Sequence, residues 1–93
     1  MFERQAQVTT AKAQHYLYQL CKHFSHKITA QWDEQFGTLD FGIGQCRLHA
    51  EEATLLVYCE AQDVDNLHEV MDVIKRHFDR FAHKEACELV WSP

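Results

Sequence analysis

Histidine and lysine recur as a pair in this chain, at two places that are predicted to lie between a helix and a strand. The pattern Phe-x-His-Lys occurs at residues 24–27 and again at 81–84, and each following strand reaches a tryptophan. Imidazole and ammonium groups donate hydrogen bonds to anions, and neutral imidazole also binds metal ions. The repeat therefore predicts a ligand-binding site composed of His26, Lys27, Trp32, His83, Lys84 and Trp91.

The same pairs have a structural explanation that needs no ligand. Basic side chains near the C-terminus of a helix interact favourably with its dipole and can bind its last carbonyl groups. Phe24 and Phe81 would then anchor each helix to a sheet, and His26 and His83 would only help to end the helices. The sequence leaves both explanations open.

Metal binding is a separate question, because seven of the 93 residues are histidine. A structural zinc site normally uses four converging nitrogen or sulfur ligands. The short spacings His23-x-x-His26, Cys46-x-x-His49 and His83-x-x-x-Cys87 match no recognised cluster. If both helix ends lie on one side of a sheet, the candidate metal ligands are His23, His26, His77 and His83. No cofactor is predicted.

Catalysis has weaker support in the sequence. The chain has no glycine-rich phosphate loop and no nucleophile motif. Asp33, Glu34 and Asp40 are carboxylates that could exchange protons with a histidine, but acids in such a place are typical of a solvated turn. Cys21 would need a neighbouring imidazole to act as a nucleophile. We therefore predict no catalytic residues.

Composition limits the partners. The chain has 46% apolar residues, 25% charged residues and a net charge of −5, which is typical of one globular domain spanning residues 1–93. The negative charge argues against nucleic-acid binding, and no apolar run is long enough to cross a membrane. The first residues lack the apolar segment of a signal peptide, so we expect a cytoplasmic protein with four free cysteines.

The first half of the chain is predicted to contain one helix and several strands. A strand at residues 4–8 precedes a helix that Thr9 or Thr10 would cap and that ends near Phe24. Alternation predicts a strand at residues 28–32 and two further strands on either side of Gly42 and Gly44, where the apolar phase changes. Such a change of phase indicates a tight turn or a bulge.

The second half begins with another strand and then contains the clearest helix. Apolar residues repeat every three or four positions from Val64 to Phe81, and Asp63 and Asp65 are both candidate N-caps. A last strand is expected at residues 87–91. The order is β-α-β-β-β-β-α-β, which predicts an α+β two-layer sandwich with both helices on one face of a largely antiparallel sheet. We expect four of its apolar side chains to be well buried: Phe24, Leu67, Ile74 and Phe81.

From Thr10 to Trp91 the chain resembles the bacterial family catalogued as domain of unknown function 2218. The resemblance rests on residues 16–24 with His26-Lys27, on residues 37–41 and 44–48, and on scattered single matches. Those single matches are Trp32, Arg76, His77, Phe78, Arg80, Phe81 and Trp91. The resemblance implies a small accessory protein without an established activity, and it suggests a link to iron or siderophore handling.

Three functions follow from these observations. The protein is a small ligand-binding or accessory module, a homo-oligomeric interaction domain, or an enzyme that uses histidine and a carboxylate. A two-layer fold leaves one sheet face open, where Leu56, Tyr58, Val90 and Ile43 are candidates for an apolar surface. A contiguous patch there would favour a homodimer, whereas a pocket lined by His26, His83 and the tryptophans would favour binding of a small molecule or metal.

Overall fold

The computed structural model describes residues 1–92 and has the predicted order of helices and strands. The eight elements are β1 (Phe2–Thr9), α1 (Ala13–Phe24), β2 (Thr29–Trp32), β3 (Phe36–Asp40), β4 (Gly44–Ala50), β5 (Thr54–Ala61), α2 (Val64–Phe81) and β6 (Val90–Trp91). Among residues 1–92, no helix has the length and apolar character needed to cross a membrane.

All six strands form one antiparallel sheet in the order β2-β3-β4-β5-β1-β6. The first strand, β1, pairs with β5 along its whole length, and β6 covers its other side at Ala6 and Gln7. The two strands that follow the helices, β2 and β6, are the two edge strands. This order places the strands of the two helix–strand units at opposite edges of the sheet.

Both helices cover the same sheet face, as their single apolar stripes predict. The side chains of Leu48, Val57 and Ile74 are at most 2% exposed and belong to one continuous core. Burial of Phe24, Leu67 and Ile74 is confirmed. The prediction was wrong for Phe81, which is only half-buried. It is the last residue of α2, and part of its ring lies against His23 on the protein surface.

The change of phase near the glycines is a turn between two strands. Gly42 joins β3 to β4 with φ of +82°, a conformation that side chains larger than hydrogen disfavour. The Asp40 carboxylate accepts a hydrogen bond from the Gly42 amide at 2.9 Å, and the Phe41 amide donates to the Gly44 carbonyl at 2.9 Å. The predicted tight turn is therefore confirmed.

Element boundaries differ most from the sequence prediction at the start of α1 and in the last strand. Thr9 belongs to β1 and α1 begins only at Ala13, so the proposed threonine N-cap was wrong; the Thr10 hydroxyl instead accepts from the Lys12 amide at 3.0 Å. The last strand is two residues long instead of five, because only Val90 and Trp91 pair with β1. Of the two candidate N-caps of α2, Asp63 is confirmed, since its carboxylate accepts from the Asn66 amide at 2.8 Å; Asp65 lies in the first turn of the helix instead.

Candidate functional site

The first His-Lys pair follows α1 without helping to end it. The Ser25 hydroxyl donates to the Lys22 carbonyl at 2.7 Å, and the amides of Lys27 and Ile28 donate to the Phe24 carbonyl at 3.0 and 2.9 Å. Backbone groups and a serine therefore satisfy the helix end. The side chains of His26 and Lys27 are exposed and remain available for other contacts.

The second pair behaves differently. The Nδ1 atom of His83 donates to the Arg80 carbonyl at 3.0 Å, so this imidazole binds one of the last carbonyl groups of α2. The Ala82 amide donates to the Phe78 carbonyl at 2.9 Å, and Lys84 is exposed. The structure thus supports the helix-ending explanation for His83 but not for His26, although the two local sequences match.

The two tryptophans of the predicted ligand site lie on opposite edges of the sheet. Trp32 belongs to β2, where its ring meets Tyr18 edge-on at a centroid distance of 6.4 Å. Trp91 belongs to β6 and pairs with Ala6. Four strands separate them. The six residues predicted as one site are therefore not brought together, because the sheet order separates the two strands that the repeat made equivalent.

Two of the four candidate metal ligands do meet. The rings of His23 on α1 and His77 on α2 have centroids 4.8 Å apart, and Nδ1 of His77 donates to the Val73 carbonyl at 2.7 Å. Phe24 and Phe81 flank the pair, at 4.7 Å from His77 and 5.7 Å from His23 respectively. Within residues 1–92, no group of three or more His, Cys, Asp or Glu side chains is arranged to hold a metal ion.

Positive charge surrounds the histidine pair. The pKa of His23 is lowered, first by partial desolvation and then by the charges of His77, Lys27, Arg80 and His26. All four neighbouring groups act in the same direction. We call these five residues the helix-end cluster; Lys27 and Arg80 carry its permanent positive charge, and the three histidines add charge only when they are protonated.

The candidate catalytic groups have structural roles. Burial raises the pKa of Cys21 to about 12, so its thiol resists forming the thiolate that a nucleophile needs. Cys46 pairs with Cys59 on the next strand, and both the hydrogen bond that its thiol donates to the Cys59 sulfur and its burial raise the pKa of Cys46. The Asp33 carboxylate accepts from the Gln35 and Phe36 amides at 2.8 Å, and these bonds lower its pKa.

Sequence reasoning missed most of the exposed surface on the uncovered sheet face. Phe36 is 52% exposed, and its ring stacks on that of His49 at 4.3 Å with an interplanar angle of 12°. Next to them, Arg47 and Tyr58 complete a shallow cavity of about 330 Å³. The sequence signal for this surface was the alternation along β3, in which exposed Phe36 and Thr38 alternate with buried Gly37 and Leu39. This short pattern is easily overlooked after the polar turn at residues 33–35.

Strand register aligns these side chains into rows across the uncovered face. The first row crosses five strands through Phe36, His49, Leu56, Gln7 and Val90, and we call it the Phe36 row. The second contains Thr38, Arg47, Tyr58 and Gln5. The third is rich in acids, with Asp40, Gln45, Glu60 and Glu3.

Three of the four residues predicted to form an apolar surface on the open sheet face do lie on that face. Leu56, Tyr58 and Val90 lie on the uncovered face. The prediction was wrong for Ile43, which is exposed in the turn between β3 and β4 and belongs to neither strand.

A larger cavity of about 580 Å³ lies at the start of α1, and its lining includes Lys12, His15, Glu51 and Glu52. All four of these side chains are exposed.

Comparison with known proteins agrees with the architecture. The chain is 33% identical to PA4090 from Pseudomonas aeruginosa, whose structure was determined by NMR; the match covers 100% of this chain and 97% of that one, with a TM-score of 0.83. No curated protein matches the sequence significantly. Residues 5–92 match DUF2218, described as an uncharacterized protein conserved in bacteria. The chain therefore belongs to the bacterial family of domain of unknown function 2218.

Proposed function

We propose that this protein is a small interaction module that forms a homodimer through the uncovered face of its sheet. The observation that carries the proposal is the Phe36 row, in which register brings an exposed aromatic ring, a stacked imidazole and the side chain of Leu56 onto three adjacent strands. Val90 extends the row on β6, beyond Gln7 of β1. Phe36 and Val90 are 52% and 58% exposed. Exposed apolar residues that form a continuous patch mark interaction surfaces, whereas scattered ones do not.

The size of the face suits weak association with a second copy. Five strands spaced by about 4.8 Å, with three rows of side chains along them, span about 24 by 20 Å. A rectangle of that size has an area of about 480 Å², which is below the roughly 800 Å² per partner of an ordinary specific interface and in the range of weak, transient association. A small molecule in the shallow cavity beside Phe36 would leave most of this face in water.

The polar groups of the second row allow the face to pair with itself, whereas the acid-rich third row would meet its own copy and oppose association. A two-fold axis parallel to the strands and between β4 and β5 would bring the two Phe36 rows together. The same axis would place Arg47 over Tyr58 of the second copy, where a guanidinium and an aromatic ring attract each other. Arg47 lies 3.7 Å from Glu60, so its charge is partly balanced before association.

Two expectations from the sequence complete the proposal. A cytoplasmic location would keep the four cysteines reduced, three of which are buried as free thiols. The link to iron or siderophore handling remains a prediction from the family resemblance. The proposed dimer rests on the uncovered sheet face and is separate from that link.

Analytical ultracentrifugation of untagged protein at micromolar concentrations tests the dimer. We expect a monomer–dimer equilibrium that Phe36→Gln weakens by about tenfold or more, because buried aromatic residues dominate interface energies. Val64→Gln is the matched control, since Val64 is equally apolar and 42% exposed but lies on α2. One monomeric species over the whole concentration range, or equal effects of the two substitutions, would overturn the proposal.

A further inference from the structure

We propose that the helix-end cluster, formed by His23, His26, Lys27, His77 and Arg80, binds the oxyanion group of a small molecule, either a phosphate or a carboxylate. This site is independent of the homodimer, because it lies on the helical layer and not on the uncovered sheet face. It also differs from the metal site predicted from sequence, since its chemistry depends on lysine and arginine as well as on imidazole.

Within residues 1–92, five lysine and arginine side chains form no ion pair, and two of these five belong to the cluster. The chain has nine Lys and Arg residues against fourteen Asp and Glu. Four of the nine are in ion pairs: Lys12, Arg47, Lys75 and Arg76. Among residues 1–92, neither Lys27 nor Arg80 lies within ion-pair distance of a carboxylate. An acidic protein therefore leaves two permanent cations unpaired beside three histidines.

Imidazole geometry provides directed donors within the cluster. Nδ1 of His77 keeps its proton in the hydrogen bond to the Val73 carbonyl, so Nε2 is the nitrogen that can gain a proton and donate it to a ligand. The ring of His23 lies 4.8 Å away. Two imidazoles this close repel each other when both are protonated, and an oxyanion between or beside them would remove that repulsion.

Helix termination does not explain why the basic residues of the helix-end cluster lie together. Basic residues at helix ends are stabilised by the dipole. However, the end of α1 is closed by Ser25 and backbone amides, and the Arg80 carbonyl accepts from His83. The lowered pKa of His23 also reports positive neighbours and no compensating carboxylate. The cluster thus has the electrostatics of a site that an anion would stabilise.

A buried acceptor lies one helical turn away. Gln19 precedes His23 by four residues, which places both on the same side of α1. Its Oε1 atom is buried without a hydrogen-bond partner. A hydroxyl group on the ligand, such as that of a hydrogen phosphate, is a donor of the kind that this oxygen lacks.

Calorimetric titration with inorganic phosphate and with citrate, at constant ionic strength and pH 6.5, tests the site. We expect saturable binding of one anion per chain, and Arg80→Gln should weaken it by about tenfold or more because a charge-assisted hydrogen bond is lost. Arg76→Gln is the matched control, since Arg76 lies on the same helix but is paired with Asp72 at 3.0 Å. Stronger binding of phosphate than of citrate, or the reverse, identifies the oxyanion.

Three results would overturn the inference. One is the absence of saturable binding for both anions, and another is equal affinity in the Arg80→Gln and Arg76→Gln variants. The third is zinc binding that requires His23 and His77 but is indifferent to Arg80→Gln, without any anion binding, because that pattern identifies a metal site. The Phe36→Gln variant should bind the anions like wild type, so loss of the dimer and loss of the anion site are distinguishable.

Discussion

The two faces of the sheet are built from the same strands, but the helices cover only one of them. On β4, Leu48 is 2% exposed against the helices, whereas its neighbour His49 lies on the uncovered face beside Phe36. Alternation assigns each residue to one face, and only the helices decide which face becomes the core. The covered face therefore carries the stability of the monomer, and the uncovered face is available for recognition.

The largest expected effect is on the covered side. Ile74→Ala removes a fully buried side chain from the helix–sheet interface, and we expect it to lower the free energy of unfolding by about 2–5 kcal/mol. Denaturant titration measures this change. A loss below about 0.5 kcal/mol would contradict the proposed packing of α2.

Close packing on the covered face can be tested at Gly37. A Cβ atom at this position would lie 2.7 Å from Sγ of Cys21, so we expect Gly37→Ala to cost roughly 1–3 kcal/mol despite the lower chain entropy of alanine. Adding Cys21→Ala should recover part of that loss because it removes the conflicting atom. Strictly additive effects in this double-mutant cycle would show that the contact is not responsible.

The uncovered face should tolerate changes that the covered face does not. Phe36→Gln is expected to change the free energy of unfolding by less than about 0.5 kcal/mol. The measurement is made at a protein concentration well below the dissociation constant of the proposed dimer. Leu48→Ala, one strand away on the opposite face, should cost several times more. Comparable losses for the two variants would mean that the uncovered face contributes to the monomer core.

The smallest effect concerns pH and the helical layer. Because the pKa of His23 is lowered in the folded protein, the unfolded chain takes up the proton more readily. Stability should be fully present above about pH 6.5 and should fall as the pH decreases through the range just below it. His23→Gln should flatten this dependence in thermal unfolding, whereas His68→Gln at an exposed position on α2 should not. If stability depends on pH with the same slope in His23→Gln as in the wild type, repulsion at His23 does not contribute to the properties of the helix-end cluster.

Local patterns were sufficient for much of the architecture. The order of eight elements, the α2 helix with its Asp63 cap and the turn at Gly42 all followed from periodicity and turn chemistry within short windows. Those features depend on neighbouring residues, so a single sequence contains the information. The start of α1 was missed because Thr10 closes a local turn with Lys12 instead of capping the helix.

Tertiary structure decided which residues meet. The repeated His-Lys elements look equivalent in sequence, but the sheet order separates Trp32 from Trp91 and brings His23 to His77 instead. The Phe36 row exists only because the registers of five strands agree. The amino-acid sequence alone determined the elements and their apolar faces, since these depend on local spacing. Strand order and register depend on contacts between distant residues, and they determined both candidate binding surfaces.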